Sequence, residues 1–188
     1  VWIDPARTRY GASGLTGFNR PTFVYPCRLV NAASEEMDRM VGRLIDEMSE
    51  VRSTLADALG LGTGTCGGSG KAEGSWRGRV VRVTDALAEE TEFLYGVTVT
   101  EPGYSRRRRY QLLVPLLNED EFEGDSLDIR VEDPSLAVLG REWNSALIAT
   151  RLIQTAFHRQ EIAGWSGLVV TEAVMAQIDE ALRSLFAL

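Results

Sequence analysis

Apolar positions recur at helical spacing in two parts of this chain and at strand spacing in several others. Ile45, Met48, Val51, Leu55 and Leu59, with Arg52 among them, lie three or four residues apart. That spacing puts them on one helix face and leaves Glu47, Glu50 and Asp57 outside. Gly60 or Gly62 is the expected stop. Val174, Ile178, Leu182 and Leu185 share the face of a second helix over 171–188, with Thr171 as its N-cap. Strands are predicted over 78–83, 94–100, 110–117, 127–131 and 146–155, where β-branched, aromatic and aliphatic residues cluster between turn residues. A strand is also predicted over 22–31, with Pro26 placing it at an edge or a bulge. Residues 1–20 have loop composition around a short strand at 1–3. Ser34 before Glu35-Glu36-Met37 suits a helix start without a capping box. The acidic stretches 85–92 and 118–126 read as solvated loops.

Between these segments lies Gly62–Ser75, GTGTCGGSGKAEGS, with no apolar period and a high glycine content. It reads as a flexible linker. The pattern before it recurs after it. Residues 25–33 lie over 148–156 at a constant shift of 123, with Arg28 over Arg151 and Leu29 over Leu152. The same shift lays Val51, Leu55, Ala58 and Leu59 over Val174, Ile178, Ala181 and Leu182. The expected organisation is a partial first unit over 1–61 (its C-terminal half), the linker over 62–75, and a complete second unit over 76–188.

Bulk properties narrow the function classes. The 188 residues are 44% hydrophobic and 25% charged, an ordinary globular balance. No apolar run reaches the roughly 18–20 residues a membrane span needs. The net charge of -7 disfavours non-specific nucleic-acid binding by the chain as a whole, although a local basic patch remains compatible with it. Cys27 and Cys66 are too few for a disulfide scaffold and suit a reducing cytoplasm. One histidine, His158, excludes a multi-histidine metal site, and no glycine pattern of a nucleotide-binding loop is present. No cofactor, no metal and no membrane partner are expected.

The order of elements after the linker carries a resemblance. Gly78–Val83 opens the unit, and Leu94–Thr100 leads to the pair Tyr104-Ser105. A basic stretch then enters Leu112-Leu113-Val114-Pro115-Leu116-Leu117, an aliphatic strand with a central proline. A further strand and an amphipathic helix close it. This order resembles the PemK/MazF family of toxin endoribonucleases over about 76–188, and its second half recurs at about 1–61. The resemblance implies an α+β fold: a small partly open β-barrel with a C-terminal amphipathic helix, in two copies. It also implies a toxin–antitoxin context, dimers, and cleavage of single-stranded RNA in a groove between protomers. Family members carry an Arg-Pro pair at the second strand and a Thr or Ser two residues after the central proline. The chemistry requires a donor for phosphorane charge and a proton-transfer group near the ribose 2′-hydroxyl. Here Leu94-Tyr95 and Leu117 stand at those positions, and Arg151 replaces a late-strand acid, as Arg28 does in the first copy. Aliphatic side chains do neither job.

The candidate nucleic-acid-binding residues are Tyr104, Arg106, Arg107, Arg108, Arg109 and Tyr110, with Arg28 and Arg151. The arginine run suits phosphates and the tyrosines suit base stacking. The bland alternatives are a solvated basic loop balancing Glu119–Asp125, and structural arginines at a subdomain contact. His158 reads as exposed rather than as a base, and Cys27 as a small core residue. Trp143 and Trp165 read as packing or interface residues, and Trp76 as a plug at the domain edge. The expected activity is binding of RNA or an antitoxin-like peptide by an intrachain pseudo-dimer or a homodimer, with cleavage weakened or lost. An active endoribonuclease using other residues and a non-catalytic protein–protein interaction module are the alternatives.

Overall fold

The longest apolar run becomes the centre of the sheet. A computed structural model describes residues 2–3, 22–23, 48–61, 76–101, 110–119, 124–157 and 160–188. Two short strands, β1 (Trp2–Ile3) and β2 (Thr22–Phe23), pair antiparallel with each other. Helix α1 (Met48–Leu59) follows, then β3 (Arg79–Val83), helix α2 (Asp85–Thr91) and β4 (Tyr95–Thr98). The remaining strands are β5 (Tyr110–Asn118), β6 (Ile129–Glu132), β7 (Ser145–Ile148), β8 (Gln154–Phe157) and β9 (Ile162–Val169), and helix α3 (Glu172–Phe186) ends the fold.

The seven strands β3 to β9 form one antiparallel sheet in the order β6-β7-β5-β4-β3-β9, with β8 also paired to β5. The expected partly open barrel is instead an open sheet among the described residues, running from β6 at one end to β9 at the other. A 3-10 turn at Pro134–Val138 follows β6 and inserts Leu136 into the core. Val131, Leu136 and Val174 line a cleft there with Leu168, so side chains rather than a closing strand pair occupy the gap between the edges.

β5 is buried on both faces from Gln111 to Asn118, which suits its continuous apolar run. Its Pro115 has no N–H to give the ladder. The Pro115 carbonyl accepts from Ala149 N at 2.9 Å, so the missing donor would face the same neighbour. The neighbour breaks there. β7 pairs with Leu116–Asn118, β8 pairs with Tyr110–Leu113, and a 3-10 turn at Thr150–Leu152 separates them. The single strand expected over 146–155 is therefore two. The Thr150 hydroxyl fixes the turn by donating to the Leu127 carbonyl at 2.7 Å.

Two further expectations are corrected. The acidic stretch 85–92 is not a loop: Asp85–Thr91 is helical and buries Leu87, with Glu92 closing it in the left-handed region. Residues 162–169, where no strand is predicted, form the edge strand β9.

The sheet separates two cores. On one face Val80, Val97, Leu112, Val114 and Ile148 pack under α3, which contributes the fully buried Ile178 and Leu182. Each such side chain contributes about 1.5–3 kcal/mol on burial. Thr171 caps α3, its hydroxyl accepting from Val174 N at 3.3 Å as its sequence position predicts. Helix α1 packs on this same core through Leu55, Ala58 and Leu59, so Leu55 and Leu59 and their counterparts at the 123-residue shift, Ile178 and Leu182, are buried in one cluster. Gly60 adopts φ +68°, a left-handed helix end that glycine takes without strain. The C-terminal carbonyls of α1 find donors outside the helix: Glu101 N reaches Ala58 O at 2.8 Å and Arg77 Nη1 reaches Leu59 O at 2.7 Å. Arg77 also donates to the Val99 carbonyl and pairs with Asp179 on α3. On the opposite face Val81, Val83, Leu113, Leu117 and Leu147 pack with Leu87 of α2 and Phe93.

Candidate nucleic-acid interface

Of the positions at which the family resemblance places catalytic groups, two hold packing residues and the third, Leu94, an exposed aliphatic one. Leu117 is 5% exposed and lies in the second core. Tyr95 opens β4 and meets Trp143 edge-on, with ring centroids 5.5 Å apart at 88°; its hydroxyl donates to the Leu139 carbonyl at 3.4 Å. Leu94 is partly exposed, and its carbonyl accepts from Val83 N at 3.0 Å. Leu94 and Leu117 are aliphatic and offer neither a charge nor an exchangeable proton.

Arg151 lies in the 3-10 turn between β7 and β8, exposed, and its Nη2 donates to Asp128 Oδ2 at 3.3 Å. The Asp128 side chain is 1% exposed, and the same oxygen accepts from Asp125 N at 2.8 Å. A buried carboxylate thus anchors an exposed guanidinium and neutralises much of its charge. Asp128 was not singled out in the sequence, where it is one acid among many near a polar turn. Neighbouring Asp125 is held below its usual 3.8, first by the Leu127 N–H and then by the Ser126 hydroxyl, so it is ionised at neutral pH. Asp133 is likewise held below 3.8, chiefly by the Ser135 N–H it caps.

Tyr110 begins β5, is half-buried against the first core, and pairs in register with Phe157. Gln154, three residues beyond Arg151, pairs with Leu113, three residues along β5 from Tyr110. At strand rise that displaces Tyr110 from the Gln154 register by about 10 Å. Tyr110 and Arg151 therefore belong to different parts of the sheet. Arg28, Tyr104, Arg106, Arg107, Arg108 and Arg109 lie outside the described residues, as do Cys27, Cys66, His158, the 62–75 linker and residues 25–33 of the repeat. Among the described residues no cluster of His, Cys, Asp or Glu is placed to hold a metal, and no helix is long and apolar enough to cross a membrane.

Cationic and aromatic groups do converge elsewhere, from positions far apart in the sequence. Arg79 on β3 lies over the rings of Trp76 and Trp165, and Trp165 is on the edge strand β9. The pairing of β3 with β9 brings Arg79 and Trp165 together, a contact that no local sequence spacing signals.

No protein-family model and no curated protein matches the chain. Among solved structures, the chain is similar to an endoribonuclease in complex with its cognate antitoxin from a mycobacterial species. That match has 17% identity over 61% of this chain and 96% of that one, with a TM-score of 0.46. It is also similar to MazE–MazF from Deinococcus radiodurans, at 12% identity over 61% of this chain and 96% of that one, with a TM-score of 0.41.

Proposed function

We propose that this chain is a PemK/MazF-like protein of a toxin–antitoxin type system that binds single-stranded RNA, and an antitoxin-like peptide, without efficient cleavage. The order of strand, strand, basic entry, proline-centred strand and closing helix supports the family reading. The observation that carries the loss of cleavage is Leu117, buried in the core where the family resemblance expects a Thr or Ser. Tyr95, packed on Trp143, adds to it. Without a donor for the phosphorane or a proton-transfer group, the site retains binding contacts but not the chemistry. The two-unit organisation belongs to the same proposal: α1, from the partial first unit over 1–61, docks on the core of the 76–188 unit as an intrachain pseudo-dimer.

Filter binding and gel analysis of purified protein with long single-stranded RNA test this reading. RNA retained intact, with affinity falling as salt rises, is the expected result. Site-specific cleavage would overturn the non-cleaving assignment and point to an active endoribonuclease. Absence of retention at low salt would overturn RNA binding and leave a protein–protein interaction module.

A further inference from the structure

The geometry points to a nucleotide-stacking site at the edge of the sheet, built from Trp165, Arg79 and Trp76. This site deepens the proposed RNA binding by naming where a base is held. The Arg79 guanidinium carbon lies 4.6 Å from the Trp165 ring centroid and 5.4 Å from that of Trp76, so one cation contacts two indoles. Trp165 is nonetheless 49% exposed. A flat ring with a guanidinium over one face and half its surface open presents its other face to solvent. The ring is also fixed, since its Nε1 donates to the Leu168 carbonyl at 3.0 Å. A large aromatic side chain held rigidly in water marks a contact surface, because exposure forgoes the gain of burial and ordering costs rotamer entropy.

The backbone around it is arranged to the same end. β9 leaves register with β3 between Arg79 and Val81, and the Ser166 hydroxyl donates to the Val80 carbonyl at 2.8 Å where the ladder is interrupted. Gly167 adopts φ +92°, which permits the bend. Val169, the register partner of Arg79, is also exposed and extends the apolar margin of the patch.

Charge identifies the ligand. In a chain of net charge -7, no carboxylate forms an ion pair with Arg79 among the described residues, whereas Arg82 pairs with Asp85 and Arg130 with Glu119. An aromatic face beside a cation without a carboxylate partner fits a planar group carrying an anion. A nucleotide has both: its base stacks on the open face of Trp165 and its phosphate meets Arg79. The nucleotide is either free or a unit of single-stranded RNA.

The test is fluorescence titration of the full chain with AMP and, separately, with a fluorescein-labelled mixed-sequence RNA octamer. Wild type is compared with Trp165→Ala, Trp165→Phe and Arg79→Gln, each checked for folding by circular dichroism. For the octamer, Trp165→Ala is expected to weaken affinity by on the order of tenfold, Trp165→Phe to recover part of it, and Arg79→Gln to weaken it with a shallower salt dependence. AMP binding weakened in the same order, with octamer affinity unchanged, assigns the site to free nucleotide. Unchanged affinity of folded Trp165→Ala for both ligands overturns the site, while retained octamer binding in that case leaves the RNA-binding reading standing. If wild type binds neither ligand, both fail. Loss of self-association in Trp165→Ala without any effect on either ligand reassigns the patch to a protein contact.

Discussion

The two faces of the sheet are finished differently. One is covered by two helices, with Leu55 and Leu59 of α1 and Ile178 and Leu182 of α3 in a single core. The other packs Val81, Val83, Leu113, Leu117 and Leu147 against Leu87 of the short α2, and its β9 edge is open, leaving Trp165 half in water. Both faces bury apolar side chains, and the second also carries an exposed aromatic at its edge. On the proposed reading, the difference separates residues whose loss destabilises the fold from residues whose loss leaves a folded protein with weaker binding.

The largest effect belongs to the covered face. Leu59→Ala and Leu182→Ala are each expected to lower stability by about 2–5 kcal/mol, with one cooperative transition in chemical denaturation. If α1 were not part of this core, Leu59→Ala would have little effect or melt separately. The second effect is on binding: Arg79→Gln should reduce the slope of log affinity against log salt for RNA by about one, as expected for loss of one phosphate contact. Arg151→Gln should change that slope less, because Asp128 already opposes the Arg151 charge. Equal slope changes would break the distinction between a neutralised arginine and an available one.

The smallest effect is the pH dependence of the contact between Arg77, just before β3, and Asp179 on α3. Burial holds the Asp179 carboxyl above its usual 3.8, and Arg77 works against that shift. A raised folded-state value means that the contribution of Asp179 to stability is fully present below 3.8 and is lost as pH rises through the folded value. Asp179→Asn has no such titration. The stability of wild type minus that of the variant should therefore fall as pH rises from below 3.8, read by thermal melts across that range. A difference that is flat or rises with pH contradicts burial outweighing Arg77 at Asp179.

How far the sequence reveals this fold depends on whether a residue's surroundings are local. Helix α3 is legible because its cap at Thr171 and its apolar face are both set by short-range spacing. The strand β5 is legible because burial on both faces leaves an unbroken apolar run. Helix α2 is not, because Asp-Ala-Leu-Ala-Glu-Glu-Thr buries only Leu87 and so lacks an apolar stripe. The strand β9 is not, because Gly164, Ser166 and Gly167 give it loop composition and Trp165 faces outward. The break between β7 and β8 follows from Pro115, whose effect falls on a neighbouring strand distant in sequence. The arginine run that dominates the sequence reading lies outside the described residues, and the Trp76–Arg79–Trp165 cluster exists only once β3 and β9 pair.

The most direct measurement follows RNA-octamer affinity and melting temperature together in wild type and Trp165→Ala. The account predicts affinity lower by on the order of tenfold and a melting temperature close to wild type, because the removed ring is half exposed at an edge strand. Unchanged affinity, or a fall in affinity accounted for by loss of folded protein, would contradict the assignment of the open face to nucleotide binding.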